Sequence, residues 1–200
     1  IKFQQKNLKR QSGLNAMLKT RLCVNYREVI MELLELTNKT LDIFCVENIE
    51  DLKDSILDVA IKNKTEEMEK FESMVDGDLT QDWLQKVYQY HLADRKNKKQ
   101  DYTPKSVAKL MSKLALSKDK HIVDMCAGSG ALTIQAWALD NDITAECLEF
   151  DENVLPILIF NLAIRNIKSV VKHVDVLEND VLSVYKISKT EKYGKVEKIS

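Results

Sequence analysis

Two hydrophobic periodicities divide the chain, and the change between them falls near residue 100. Up to that point apolar residues recur at helical spacing. Val29, Ile30, Leu33, Leu34 and Leu36 form one stripe; Leu52, Ile56, Leu57, Val59 and Ala60 form a second, opened by acids suited to a helix amino terminus. Thr80 is placed to cap a third helix that carries Trp83, Leu84, Val87, Tyr88 and Leu92 on one side. Before Pro104 the only glycines are Gly13 and Gly77, so the pattern predicts a helical region and not a linker. At Tyr102-Thr103-Pro104 the proline forces an extended turn, and a helix resumes over Ser106 to Leu116 with Val107, Leu110, Met111 and Leu114 expected inward.

The second periodicity begins with the apolar run His121 to Val123, which leads to Asp124 and then to a turn carrying Gly128 and Gly130. Leu132, Ile134, Ala136, Trp137 and Leu139 follow at helical spacing, so the stretch reads as strand, glycine turn, helix. A second strand is predicted from Ile143 to Glu149, then a helix with Val154, Leu155, Leu158, Leu162 and Ile164, then a third strand from Val170 to Val174 with Asp175 after it. Strands alternating with helices predict parallel pairing through crossovers, hence a doubly wound α/β domain whose ligand crevice lies at the carboxyl ends of the strands. The expected division is a helical domain over residues 1–98 and an α/β domain over 99–200.

Composition narrows the class. No apolar run approaches membrane-spanning length and no signal peptide is visible, so a soluble, cytoplasmic protein without a membrane partner is expected. Four scattered cysteines and three histidines suggest neither a zinc cage nor a disulfide framework, and no metal is expected. Cys126 reads as a small side chain packed under the glycine turn, with a reactive thiol as the alternative. The net charge of −1 hides segregation: residues 1–27 carry only basic charges, acids dominate from Glu28 to Asp78, and Arg95 to Lys120 is again basic. Basic stretches of this kind can track a phosphate backbone or can simply be solvated helix faces.

A Gly-x-Gly turn alone is weak evidence for a ligand. A dinucleotide fingerprint would place a third glycine where Thr133 stands, which argues against a pyrophosphate and favours a nucleoside without phosphates. Asp124, Glu149 and Asp175 fall at three consecutive strand tips. Glu149 can accept both ribose hydroxyls, Asp175 an exocyclic adenine amine, and Asp124 can pair with an ammonium group. S-adenosylmethionine satisfies all three. For each acid taken singly, capping the next element is the alternative.

The stretches Gln100-Asp101-Tyr102-Thr103-Pro104, Asp124 to Leu132, Glu149-Phe150-Asp151 with Asn161-Leu162, and Asp175-Val176-Leu177 together resemble the amino-terminal half of a type I restriction-modification methylation subunit, an adenine-N6 DNA methyltransferase. The resemblance covers residues 80–180. It implies an α/β fold in which a helical amino-terminal domain precedes the first half of a class I, Rossmann-like S-adenosylmethionine-dependent methyltransferase domain. It also implies cofactor contacts from Tyr102, Thr103, Pro104, Asp124, Cys126, Ala127, Gly128, Ser129, Gly130, Glu149, Phe150, Asp175 and Val176. DNA is the implied substrate, and specificity and restriction subunits the implied partners.

Asp101 and Met125 depart from the family's usual aromatic and proline, and neither removes a presumed ligand. The departure that bears on catalysis is larger. The family holds its flipped adenine with an Asn/Asp-Pro-Pro-Tyr/Phe motif, and the two prolines here, Pro104 and Pro156, are not adjacent. A fragment that binds cofactor and does not turn over unaided is therefore expected, with no catalytic residue of its own. Two alternatives stay open: methyl transfer to a protein glutamine or to RNA, and a module that binds DNA or subunits without catalysis.

Overall fold

The computed structural model describes residues 32–91, 103–116, 120–178 and 180–200. The chain separates into two units, residues 1–38 and 39–200. Of the first, residues 32–38 are described and are helical, with the Thr37 hydroxyl donating back to Leu33 O at 2.8 Å. The basic arm of residues 1–27, Val29, Ile30, Leu92, the basic residues 95–99, Tyr102 and the expected boundary at residue 98 all lie outside the described residues.

Within residues 39–200 a five-stranded sheet runs in the order β1 (His121–Asp124), β2 (Thr144–Glu149), β3 (Lys168–Asp175), β4 (Asp180–Ser188), β5 (Lys195–Lys198). The first three strands are parallel, as the strand-helix alternation predicts. After β3 the chain turns back instead of crossing over. β4 pairs antiparallel with β3, and β5 antiparallel with β4, so the sheet is mixed. The polar stretch from Lys186 completes this hairpin. Alternating burial along β4, with Ser183, Tyr185 and Ile187 inside, carries it. Among the described residues β1 pairs with β2 alone and ends the sheet.

The crossover helices are α5 (Ala131–Leu139) between β1 and β2 and α6 (Leu155–Ile164) between β2 and β3. Register places Asp124, Cys147 and Val171 in one row, and Ala145, Ser169 and Ile187 in another row of the same face. That face is buried. Thr133 of α5 reaches Cys147, and Ala163 of α6 reaches the hairpin at Gly194, so both helices lie on it. Two right-handed crossovers advancing in one direction must do so. The opposite face is open, with Val123 57% exposed and Lys172 paired to Glu146 at 2.6 Å. The doubly wound expectation is thus met on one face only.

All ten residues of α6 are buried, as its apolar sequence, interrupted by Asn161 alone, requires. One side meets the sheet; the other receives the preceding helices α1 (Leu52–Ile61) and α2 (Thr65–Met74). Phe160 of α6 stacks edge-on against Phe44 and Phe71 with ring centroids 5.3 and 5.2 Å away. Gly194 is required where the β4–β5 turn crosses α6, because a Cβ there would meet Ile187 Cγ2 at 2.5 Å.

Two helical expectations are corrected. α3 (Trp83–His91) is capped by Asp82, whose Oδ1 accepts the Gln85 N–H at 3.0 Å, while the Thr80 hydroxyl turns to Asp78. In α4 (Lys105–Ala115) the apolar stripe of Val107, Leu110, Met111 and Leu114 faces outward, 47 to 67% exposed. α4 meets α5 through the small residues Ala108 and Ser112 instead, the Ser112 hydroxyl lying 3.0 Å from Leu132 O. Small side chains let two helix backbones approach, and periodicity does not say which stripe a helix buries.

Candidate functional site

The sheet places the glycine turn at the carboxyl end of β1. Gly128 and Gly130 adopt left-handed φ values of 54° and 92°, which other residues resist. The Gly130 N–H closes the turn on Ala127 O at 2.8 Å, and its carbonyl accepts the Ile134 N–H to start α5. The Ala127 N–H reaches Leu148 O at 2.9 Å, stitching the turn to β2. A Cβ on Gly130 would come within 3.0 Å of Leu158 Cδ1; one on Gly128 would meet nothing within 4 Å. The turn is therefore packed on its inner side and open above Gly128.

Register puts Asp124 and Glu149 on one face at one end of the sheet, and Asp175 closes the neighbouring strand beyond a register shift at His173 and Val174. Asp124 is 7% exposed; burial, then the neighbouring Glu149 charge, push its carboxyl above the ordinary value, against the Cys126 N–H and the Thr133 hydroxyl. Glu149 grips the turn, Oε2 accepting the Gly128 N–H and Oε1 the Asp151 N–H, each at 2.7 Å. Asp175 Oδ1 accepts the Leu177 and Glu178 N–H groups at 2.9 and 3.3 Å. Asp124 and Glu149 thus converge on the turn, and Asp175 stands on the next strand with its own turn to cap. Each acid serves the local backbone, and each keeps lone pairs for a ligand.

Thr133 accounts for the missing third glycine. It is fully buried, with Oγ1 3.5 Å from Asp124 Oδ2 and 3.6 Å from Cys147 Sγ. The helix and strand therefore meet through a threonine that bears on the acid. Burial holds the Cys147 thiol at about 12, an inert packing group.

Each acid is followed by apolar surface: Met125 is 59%, Phe150 63% and Leu177 91% exposed, with Val176 half-buried. The Phe150 carbonyl lies 2.9 Å from His173 Nε2, which donates to it in the matching tautomer. His173 is a site neighbour that the sequence does not single out; Thr133 and Asn161 are named there, but their contacts cross between elements and arise only in the fold.

Of the other expected contacts, Ala127 and Ser129 are buried in the turn. Cys126 is exposed, which corrects the expectation of a side chain packed beneath it. The turn bends after Asp124 so that residue 126 points outward and Ala127 takes the inner place. Thr103 and Pro104 are exposed and open α4, the Pro104 carbonyl accepting from Val107 and Ala108. Together with Lys105, Gln89, Ala131 and Gln135 they line a cavity of about 240 Å³ beside the amino end of α5. None of the three strand-tip acids lines it. Tyr102 lies outside the described residues.

Two carboxylates beside an open turn, with exposed aromatic and aliphatic surface at their flanks, suit a cationic ligand that also presents hydroxyls and a flat ring. Among the described residues no His, Cys, Asp and Glu group is arranged to hold a metal, and no helix is long and apolar enough to cross a membrane. Searches of curated proteins and of solved structures found no match. A family model described as N-6 DNA Methylase matches residues 79–196, more than half of the chain.

Proposed function

The chain belongs to the N-6 DNA methylase family, and from that premise we propose that it binds S-adenosylmethionine at the glycine turn, as the donor-holding part of an adenine-N6 DNA methyltransferase. The observation that carries this is the convergence of Asp124 and Glu149 on a turn open above Gly128. Bound there, S-adenosylmethionine supplies an electrophilic methyl group on a sulfonium. The chain's own residues bind and orient. Glu149 takes the ribose hydroxyls with the lone pairs left by Gly128 and Asp151, Phe150 covers the adenine ring, and Asp175 accepts from its amine. Asp124 offsets positive charge, and Thr103 and Pro104 flank the amino-acid end, a role the family resemblance extends to Tyr102, outside the described residues; Cys126, Ala127, Ser129, Gly130 and Val176 complete the wall.

An in-line displacement gains chiefly from such positioning. The acceptor adenine must be flipped and its amine held, and residues 1–200 contain no adjacent prolines for the motif that does this in the family. We therefore assign donor binding to this chain and turnover to its combination with a base-holding element, as in a type I methylation subunit working with specificity and restriction subunits. Calorimetry tests the assignment. Saturable S-adenosylmethionine binding, weakened at least tenfold by Asp124→Asn, is expected; no saturable binding to the native chain overturns it.

A further inference from the structure

Behind the glycine turn lies a buried polar cluster that none of the proposed donor contacts uses. Asn161 of α6, 1% exposed, donates from Nδ2 to Ser129 O at 2.9 Å and to Asp82 Oδ1 at 3.0 Å. Arg165, 4% exposed, donates from Nη1 to Asn161 Oδ1 and Asn161 O, from Nε to Leu79 O and from Nη2 to Gln81 O, at 2.7 to 3.0 Å. One buried acid and one buried base thus stand on either side of a single amide. The balance of charge lets the cluster exist in a dry interior, and removing one member would strand the others.

Burial pushes the Asp82 carboxyl up, against the Ser129 hydroxyl beside it and the Arg165 charge. Burial likewise lowers the Arg165 guanidinium to about 10. Asp82 Oδ2 and Ser129 Oγ are each buried without a completed hydrogen bond among the described residues. The turn and the segment ahead of α3 are therefore joined through Asn161, whose amide is the side chain that holds the Ser129 carbonyl.

Ser129 stands between two glycines, where the backbone has most freedom to flip. A carbonyl drawn inward keeps its partial negative charge away from the open side, where a ligand carboxylate would meet the free N–H groups at the start of α5. Released, the same peptide can turn that oxygen outward. We propose that Asp82, Asn161 and Arg165 are positioning residues for the donor site, holding the Ser129 carbonyl inward so that the glycine turn stays receptive to the amino-acid end of its ligand. This rests on the donor reading above. Asn161 and Arg165 do not line the cavity beside Thr103 and Pro104, and Asp82 borders it.

Asn161→Asp removes the amide that donates to Ser129 and to Asp82. The double variant Asp82→Asn, Asn161→Asp exchanges amide and carboxylate: it keeps the charge opposite Arg165 and leaves Ser129 O without its donor, while residue 82 can serve either the Gln85 N–H or position 161, because the one oxygen Oδ1 meets both in the native chain. Three quantities are read on the 200-residue chain: melting temperature, amide hydrogen exchange at Gly128 to Ala131, and affinity for S-adenosylmethionine against adenosine. The single variant is expected to melt earlier, and the double variant to recover part of that loss by relieving the repulsion between two buried acids. In both, turn amides should exchange about tenfold faster and S-adenosylmethionine affinity should fall about tenfold, with adenosine changed less than twofold. Recovery of native exchange and affinity in the double variant overturns the proposal, because the cluster would then be merely structural; so does native exchange in both. If the native chain binds no S-adenosylmethionine, the donor assignment falls, and the exchange measurement, which needs no ligand, still decides whether the cluster sets the turn.

Discussion

Glu149 Oε2 accepts the Gly128 N–H at 2.7 Å, joining the tip of β2 to the middle of the glycine turn 21 residues earlier. The same carboxylate takes the Asp151 N–H through Oε1. A side chain proposed to hold a ribose therefore also builds the wall that the ribose would meet. Removing it tests two things together. Glu149→Ala is expected to lower both melting temperature and nucleoside affinity, since two backbone donors lose a charged acceptor, at about 1.5–3 kcal/mol each. Glu149→Asp, too short to span both donors, should do the same to a smaller degree. Unchanged affinity for adenosine in either variant, by calorimetry, would remove Glu149 from the ligand set.

Asp175 offers a cleaner probe. Its Oδ1 caps the turn to Leu177 and Glu178, and an asparagine keeps that acceptor. Asp175→Asn should therefore melt within about 2 °C of the native chain, a shift of well under 1 kcal/mol. The lost carboxylate should cost about fivefold in adenosine affinity and nothing in inosine affinity, because inosine lacks the amine. Equal losses for the two nucleosides would place the amine elsewhere.

The Asp124 carboxyl stands above its ordinary value of 3.8, chiefly through burial and also through the Glu149 charge. The folded chain holds this proton more tightly than the unfolded one. Its contribution to stability is therefore complete below the unfolded value and is lost as pH rises through the folded value. For a cationic ligand the sense is reversed, since only the ionised carboxylate attracts it. S-adenosylmethionine affinity should rise with pH through a titration above 3.8, adenosine affinity should not follow it, and Asp124→Asn should flatten the difference. An identical pH profile for both ligands would show that Asp124 does not bear on the sulfonium end.

What could be read from the sequence followed from local signals. Asp124, the two glycines and Thr133 are adjacent in sequence, so strand, turn and helix were legible, and the parallel order of β1, β2 and β3 followed from alternation. The β4–β5 hairpin was not, because Lys186 to Lys195 is polar and its inward residues Tyr185, Ile187 and Val196 are separated by charged ones on an open face. The outward stripe of α4 was misread for a different reason: its burial is decided by Ala108 and Ser112, which carry no hydrophobic signal. Asn161, Asp82 and Arg165 lie up to 86 residues from their partners, beyond any local pattern. The site's backbone was thus written locally, and its support was written in the tertiary fold.

Gly128 and Gly130 should separate binding from folding. Both have left-handed φ, so alanine at either strains the backbone by about 1 kcal/mol. At Gly130 the new Cβ would also press on Leu158 Cδ1 at 3.0 Å, in a helix with no exposed residue to yield. At Gly128 it would meet open space. Gly130→Ala is therefore expected to cost about 2–3 kcal/mol of stability, the strain plus an overpacking term, and to lower the denaturation midpoint clearly. Gly128→Ala should cost only the strain, yet its methyl group would occupy the volume through which a ligand approaches the turn, and S-adenosylmethionine affinity should fall at least tenfold. Denaturant titration and calorimetry on the two variants decide the matter. If Gly128→Ala binds like the native chain, the ligand does not sit above that glycine, and the open side of the turn is not the donor site.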